Sequence, residues 1–362
     1  MEETYLSEFF LGANTSRGFV SLYGGLNKYR TLYILKGGPG CGKSSFMKKI
    51  AARLEDAGLA VERVLCSGDP ESLDAIIVPA LSLAYADGTA PHVLEPQFPG
   101  AQANDIHLGG FYDMAALWPL RGEIEAATKR YKAHYERAYA FLAAAGELPE
   151  IPLPEEAVNA AKRKARGIIA RELKKRAVPG EGQEIFLSAF CCEGCVSVFE
   201  SAERLCSRLY LLDNRFGLGS VILNELSAAA GPGAVRCFSP LDGKSLTHLL
   251  IPSLSLGFLT EDRLFPCPVP VTRRLRLDRL WMNFATSEQK QRARETEKLR
   301  LALLDRAESE LQRAKAMHDE LEKLYNPHVD FASVYTLAAA HARKCISQYA
   351  EMRHCKTQTE KV

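Results

Sequence analysis

Leu32-Tyr-Ile-Leu-Lys-Gly-Gly-Pro-Gly-Cys-Gly-Lys-Ser-Ser45 is the stretch whose reading decides the fold. Its apolar start predicts a short buried strand over residues 31–35, and its end opens an amphipathic helix predicted over 45–54. Between them, residues 37–44 match G-x-x-x-x-G-K-[ST] in full, in the strand-then-helix setting that gives the motif its meaning. Residue frequencies give such a match by chance in roughly one percent of chains of this length. Glycines allow the tight backbone path that turns successive N–H groups toward phosphate oxygens, and a helix N-terminus adds favourable potential. The predicted nucleotide-binding set is Gly37, Gly38, Pro39, Gly40, Cys41, Gly42, Lys43, Ser44 and Ser45. In that set Lys43 reaches the β- and γ-phosphates and the Ser44 hydroxyl ligates Mg²⁺.

Leu81-Ser-Leu-Ala-Tyr-Ala-Asp87 follows at the expected distance as an apolar strand ending in an acid. Asp87 is therefore the second metal candidate and, with Lys43, a catalytic candidate. The competing reading is a turn, because Asp87-Gly88 is itself a good turn pair. No second acid follows Asp87, so the candidates for a base are Asp69, Asp74, His92 and Glu95. Asp69 reads equally well as a helix N-cap, with Pro70 at the first helical position. The guanine-reading pattern Asn-Lys-x-Asp is missing, since Asn27-Lys28-Tyr29-Arg30 lacks the acid and precedes the loop. ATP is the default nucleotide.

Further out, the chain repeats. FLGANTSRGFVSLY at 10–23 and FLSAFCCEGCVSVF at 186–199 agree at 6 of 14 positions, and SLDAIIVPALSLAY at 72–85 and SLTHLLIPSLSLGF at 245–258 agree at 6 of 14. Chance gives about one match per window. The offsets, 176 and 173, differ only as small loop indels would make them. The halves are 1–180 and 181–362, joined near the Val178-Pro-Gly-Glu-Gly-Gln183 linker. Each half predicts a strand, a glycine-containing loop, a helix, a second strand (61–66 or 234–237), a helix running toward Pro79 or Pro252, and a third strand (81–86 or 254–259). Each closes on two long amphipathic segments, 121–145 with 155–176 and 287–325 with 331–352, broken by prolines. The expectation is α/β: two tandem P-loop NTPase-like parallel-sheet domains, each with an appended α-helical hairpin.

The repeat tests its own second loop. Laid over 33–47 without gaps, residues 210–224 put Asn214 on Gly37, Ser220 on Lys43 and Val221 on Ser44, and Thr260 falls on Asp87. A valine cannot ligate magnesium, so the second half is expected not to hydrolyse nucleotide. Its expected role is structural, with donation of Arg215 to the first site as the runner-up.

GANTSRGFVSLY, LKGGPGCGKSSFMKKIA and CSGDPESLDAIIVPALSLAYADGTAPH resemble a bacterial family of tandem P-loop ATPase-like proteins. The resemblance spans nearly the whole chain and implies nucleotide binding. It also adds Thr89, Pro91 and His92, from the Asp-x-Thr-Ala-Pro-His segment, to the first site. This chain departs from the family in lacking that segment and an intact loop in its second half.

Composition bounds the rest. Over 362 residues, apolar residues are 47%, charged residues 25% and the formal net charge is +2. These proportions exclude wholesale disorder and a disulfide-stapled miniature, and the small net charge excludes a whole-surface field for nucleic acid or membrane. The N-terminus carries acids where a secretory signal would be basic, and the cysteines are irregularly spaced, so a cytoplasmic protein without membrane segments is expected. Cys192-Glu-Gly-Cys195 has metal spacing but no second pair nearby. The basic stretch from Lys162 to Arg176 holds eight Lys or Arg and one acid, and Arg273, Arg274, Arg276 and Arg279 form a shorter cluster. Both read as solvated faces or as a nucleic-acid or acidic-partner surface. The functions left open are a Mg-dependent ATPase coupled to a protein partner, a kinase acting on a small molecule, and a nucleotide-sensing scaffold.

Overall fold

The computed structural model describes residues 7–173 and 180–359. Part of the linker and the last three cations of the basic stretch, Lys174, Lys175 and Arg176, lie outside the described residues. The first copy runs β1 (Glu8–Phe9), β2 (Gly12–Thr15), β3 (Gly18–Ser21), β4 (Thr31–Lys36), α1 (Lys43–Asp56), β5 (Glu62–Leu65), β6 (Leu73–Val78) and β7 (Leu83–Asp87). It continues with β8 (Ala103–His107), α2 (Met114–Leu117), α3 (Arg121–Gly146) and α4 (Glu155–Glu172). The second copy runs β9 (Gln183–Ile185), β10 (Ser188–Cys191), β11 (Gly194–Ser197), α5 (Phe199–Leu205), β12 (Arg208–Asp213), α6 (Leu218–Ala230), β13 (Val235–Phe238) and β14 (Leu246–Ile251). Then come β15 (Leu256–Glu261), β16 (Arg273–Leu275), α7 (Leu277–Phe284), α8 (Ser287–Tyr325) and α9 (Phe331–Thr359).

The chain is α/β, with mixed sheets of mostly parallel strands covered by helices. Five strands of one copy lie in the order β5-β6-β7-β4-β8, and the other copy repeats the order as β13-β14-β15-β12-β16. β4 is parallel to both β7 and β8, and β12 is parallel to both β15 and β16. β6 and β14, however, are antiparallel to both of their neighbours. This corrects the all-parallel expectation and the helices predicted to run toward Pro79 and Pro252. Leu73-Asp-Ala-Ile-Ile-Val78 is buried along its whole length, and a short apolar run buried on both faces is a central strand, with no helical stripe to show.

Compactness divides the chain differently from the repeat halves. One unit comprises Met1–Leu22 and Tyr135–Gln312, the other Tyr23–His134 and Arg313–Val362, so two of the three boundaries fall inside the continuous helices α3 and α8. The hairpin arms are exchanged. α4, from the first half, lays Ala157, Ala161, Ala165 and Ile168 into the core built around Ile222 and Leu226 of α6. α9, from the second half, packs on α1, the helix after the glycine-rich loop. Small residues along α4 let its backbone approach α6 closely, which an isolated hairpin would not require.

Within the first of these units the two lead hairpins, β2–β3 and β10–β11, also meet. Phe10 N donates to Phe186 O at 2.9 Å and Phe186 N donates to Phe10 O at 2.9 Å. Residues 176 apart therefore exchange the same bond in both directions, the signature of a local two-fold relation between repeats. Asn14 is buried beside this contact, with its Nδ2 donating to Phe190 O at 3.0 Å and its Oδ1 accepting from Tyr139 at 2.8 Å. Among the described residues no helix is long and apolar enough to cross a membrane.

Candidate functional site

The first loop leaves the C-terminal end of β4 and enters α1. Gly42, the residue before the helix, has φ 85° and ψ 22°, a left-handed conformation that glycine adopts without a Cβ clash. Gly42 has no side chain to cap the helix, and among the described residues no side-chain hydrogen bond reaches its first amides, which face the loop. α1 forms because Phe46, Met47, Ile50, Ala51 and Leu54 share one buried face. Lys43 thereby stands on the first turn, and its Nζ donates to Gly37 O at 2.9 Å and Gly38 O at 3.0 Å. Ser44 Oγ accepts from Leu73 N at 2.9 Å, which ties the loop to β6.

The register of the sheet fixes the acid. β7 pairs with β4 so that Asp87 lies opposite Leu35, at the same end of the sheet as the loop. Asp87 Oδ2 is 3.6 Å from Lys43 Nζ. Its other oxygen accepts from Thr89 N at 2.8 Å and Thr89 Oγ1 at 2.6 Å. Thr89 thus holds one carboxylate oxygen of Asp87 while the other faces the lysine.

A second layer lies behind. His92 Nε2 is 3.3 Å from Asp74 Oδ2, which also accepts from the Tyr23 hydroxyl at 2.8 Å, and His92 and Asp74 are only 9% and 4% exposed. Burial on its own lowers the His92 pKa. The Asp74 carboxylate beside it, with a smaller contribution from Asp87, more than reverses this, and the net shift is upward. Burial and the same carboxylate push the Tyr23 hydroxyl well above its usual range. Two of the predicted base candidates are therefore brought together as one buried pair.

The other candidates have local duties. Asp69 is no helix cap. It accepts from Glu71 N at 3.3 Å and Ser72 Oγ at 2.9 Å in a turn, and lies 3.5 Å from Lys315. Glu95 is exposed and pairs with Lys36 at 2.6 Å. Cys41 is buried, which raises its thiol pKa; nearby Lys43 opposes that rise without cancelling it. Pro39 O accepts from the Tyr112 hydroxyl at 2.7 Å. Cys192 and Cys195 sit by the β10–β11 turn as thiols outside any disulfide, and outside the metal-competent grouping found among the described residues, His318, Asp319 and Glu322.

Sequence reasoning missed the elbow between α8 and α9. Asp113 N donates to His328 O at 2.8 Å, and Asp330 N donates to Phe111 O at 2.9 Å. A Cβ on Gly40 would stand 2.7 Å from Asn326 Oδ1, so glycine there lets the elbow approach the loop. Asn326-Pro327 was legible as a helix break, but its destination was not.

The second loop is two residues shorter. Six residues separate β4 from α1, and four separate β12 from α6. Gly217, with φ 86° and ψ 0°, precedes α6 as Gly42 precedes α1. The residues structurally equivalent to Lys43 and Ser44 are therefore Leu218 and Gly219, which corrects the ungapped Ser220 and Val221. Gly219 N donates to Asn214 Oδ1 at 2.8 Å, so a side chain of the loop itself takes a helix amide. Phe216 stacks on the fully buried Trp281 with ring centroids 4.1 Å apart. Thr260 lies opposite Leu212, the place Asp87 holds opposite Leu35. Its amide donates to His248 Nδ1 at 3.0 Å, and burial pulls that imidazole down to a pKa of about 3. Arg215 is held bidentately by Glu297 in this same unit.

Comparison with protein families, with curated proteins and with solved structures gives no match for this chain.

Proposed function

We propose that loop 37–44 binds the phosphates of a nucleoside triphosphate, with ATP as the default, and that this copy of the repeat supplies the protein's nucleotide site. The observation that carries the reading is the meeting of Lys43 and Asp87 at 3.6 Å, beside a helix N-terminus that no side chain caps. An ammonium resting on two loop carbonyls is positioned to exchange them for β- and γ-phosphate oxygens, and the uncapped amides supply neutral donors. The donor set also fits Mg²⁺, a hard cation that takes a hydroxyl and a carboxylate: Ser44 Oγ and the free oxygen of Asp87 would hold it. When bound, the metal neutralises phosphate charge. Thr89 holds Asp87 in the orientation this requires.

The proposal extends to slow hydrolysis coupled to a protein partner through the helical hairpins. A second reading, phosphoryl transfer to a small molecule, draws on the buried His92–Asp74 pair, a base close enough to Lys43 and Asp87 to feel both charges. ATP binding and turnover should be compared between the parent and Lys43→Ala, with and without candidate acceptors. Loss of the charge-assisted bonds should weaken ATP binding by about tenfold or more. Equal binding by the variant would overturn the proposal. Turnover that appears only with an acceptor favours transfer; tight binding without turnover favours a nucleotide sensor.

A further inference from the structure

The two basic clusters that the sequence holds about a hundred residues apart converge in one cleft of the unit containing Tyr135–Gln312. α4 contributes Lys164 and Arg171, and the edge strand β16 with the residue after it contributes Arg273, Arg274 and Arg276. Ile168 and Leu275 give the cleft an apolar floor, and its volume is about 450 Å³. No acidic residue lines it. Outside its walls, Glu172 pairs with Arg171 at 2.9 Å, and Glu261 pairs with Arg274. Lys164, Arg273 and Arg276 form no ion pair among the described residues.

The repeat supplies an internal control for this charge. Arg273 and Arg274 lie opposite Tyr210 and Leu211, as Asn104 and Asp105 lie opposite Tyr33 and Ile34 in the other copy. Arg276 follows at the spacing where the other copy has His107. The strand therefore forms with Asn, Asp and His as readily as with three arginines, and strand formation does not explain the arginines.

We propose that this cleft binds the phosphate backbone of a nucleic-acid strand, independently of base sequence. Guanidinium groups match phosphate oxygens bidentately, and three cations that make no direct ion pair among the described residues form, around a concave floor, a track for successive phosphates. Arg163 and Arg166 on α4 and Arg279 on α7 add exposed cations to the elements that wall or follow the cleft. Such an extension suits an elongated polyanion better than a single small anion. Tyr210, the aromatic residue of the wall, is buried and donates its hydroxyl to Glu172 at 2.6 Å, so it offers no face for stacking a base.

The test is fluorescence anisotropy with labelled twenty-nucleotide dT and U strands, a duplex of equal length and polyglutamate competition, on the full chain without added nucleotide. The parent should bind the strands, with log affinity falling against log salt at a slope of about −2 for three contacts. Arg273→Asn with Arg276→His, residues the other copy already carries, should lose about tenfold or more in affinity at low salt and flatten the slope. Lys164→Glu, an exposed position, should do the same, and it decides the matter if the double variant melts at lower temperature. Lys43→Ala should bind strands like the parent, so failure here is separable from failure at the nucleotide loop. Absence of strand binding, strand binding unchanged by both variants, or displacement by polyglutamate at equal charge would each overturn the proposal, the last pointing to an acidic protein segment.

Discussion

Loops 37–42 and 214–217 leave equivalent strands, end on equivalent left-handed glycines and open equivalent helices, yet they are stabilised in opposite ways. In the first, the helix amides are uncapped and a lysine rests on carbonyls of its own loop. In the second, Asn214 occupies an amide and Phe216 is wedged against Trp281. Under the proposed function, the difference teaches how a phosphate-binding loop becomes a structural one. Shortening the loop and supplying an internal acceptor and an aromatic anchor replaces what a phosphate would offer from outside.

The comparison can be broken most forcefully at Trp281. Trp281→Ala removes the stack under Phe216 and the bond from its indole N–H to Pro152 O, and should cost about 3–5 kcal/mol by denaturant midpoint. A midpoint near the parent's would mean that the second loop does not rest on that ring. Next come the paired glycines. Gly217→Ala should cost about 1–2 kcal/mol, since it adds a Cβ to a left-handed residue in open space. Gly42→Ala should cost more, because its Cβ would also meet Phe331 at 3.2 Å, and it should weaken ATP binding where Gly217→Ala does not. Equal effects on ATP would erase the distinction between the loops.

Asn214→Ala should destabilise the protein by about 1 kcal/mol through loss of the acceptor for Gly219 N, and should leave ATP affinity unchanged. The smallest effect is a pH dependence. His92 has a folded pKa above its unfolded one, so the stability from its pair with Asp74 is fully present below the unfolded value, near 6.5. It is lost as pH rises through the folded value. Melting temperatures should therefore decline over that interval in the parent, and Asp74→Asn should flatten the decline. An unchanged profile in the variant would remove His92–Asp74 as the source.

Much of this was legible because it is local. A strand, a glycine-rich loop and an apolar-faced helix follow one another within about twenty-five residues, and the acid-ended strand at 83–87 needed only the same apolar pattern. β6 was misread because Leu73-Asp-Ala-Ile-Ile-Val78 is buried on both faces, and continuous burial erases the two-residue period that marks a strand. Its run of Ile, Ile and Val was the available signal. The Lys43 equivalence was misplaced because an ungapped overlay cannot see a loop shortened by two residues. The exchange of α4 and α9 was beyond reach. Ala157, Ala161 and Ala165 announce a closely packed face without saying which helix it meets. Asp74 and His92 were separate candidates in the sequence and became a pair only through the pairing of β6 with β7 and the turn at 89–92 that follows β7.

The reciprocal bonds between Phe10 and Phe186 have a consequence for assembly. Two separate chains forming the same contact would obey mass action, and their pairing would weaken on dilution. Here the partners are covalently tethered, and the encounter is first order at an effective concentration set by the intervening chain. Dilution cannot part the repeats, and neither copy has to remain self-complementary to find the other. A tether of this kind releases each copy from the constraint of being its own partner.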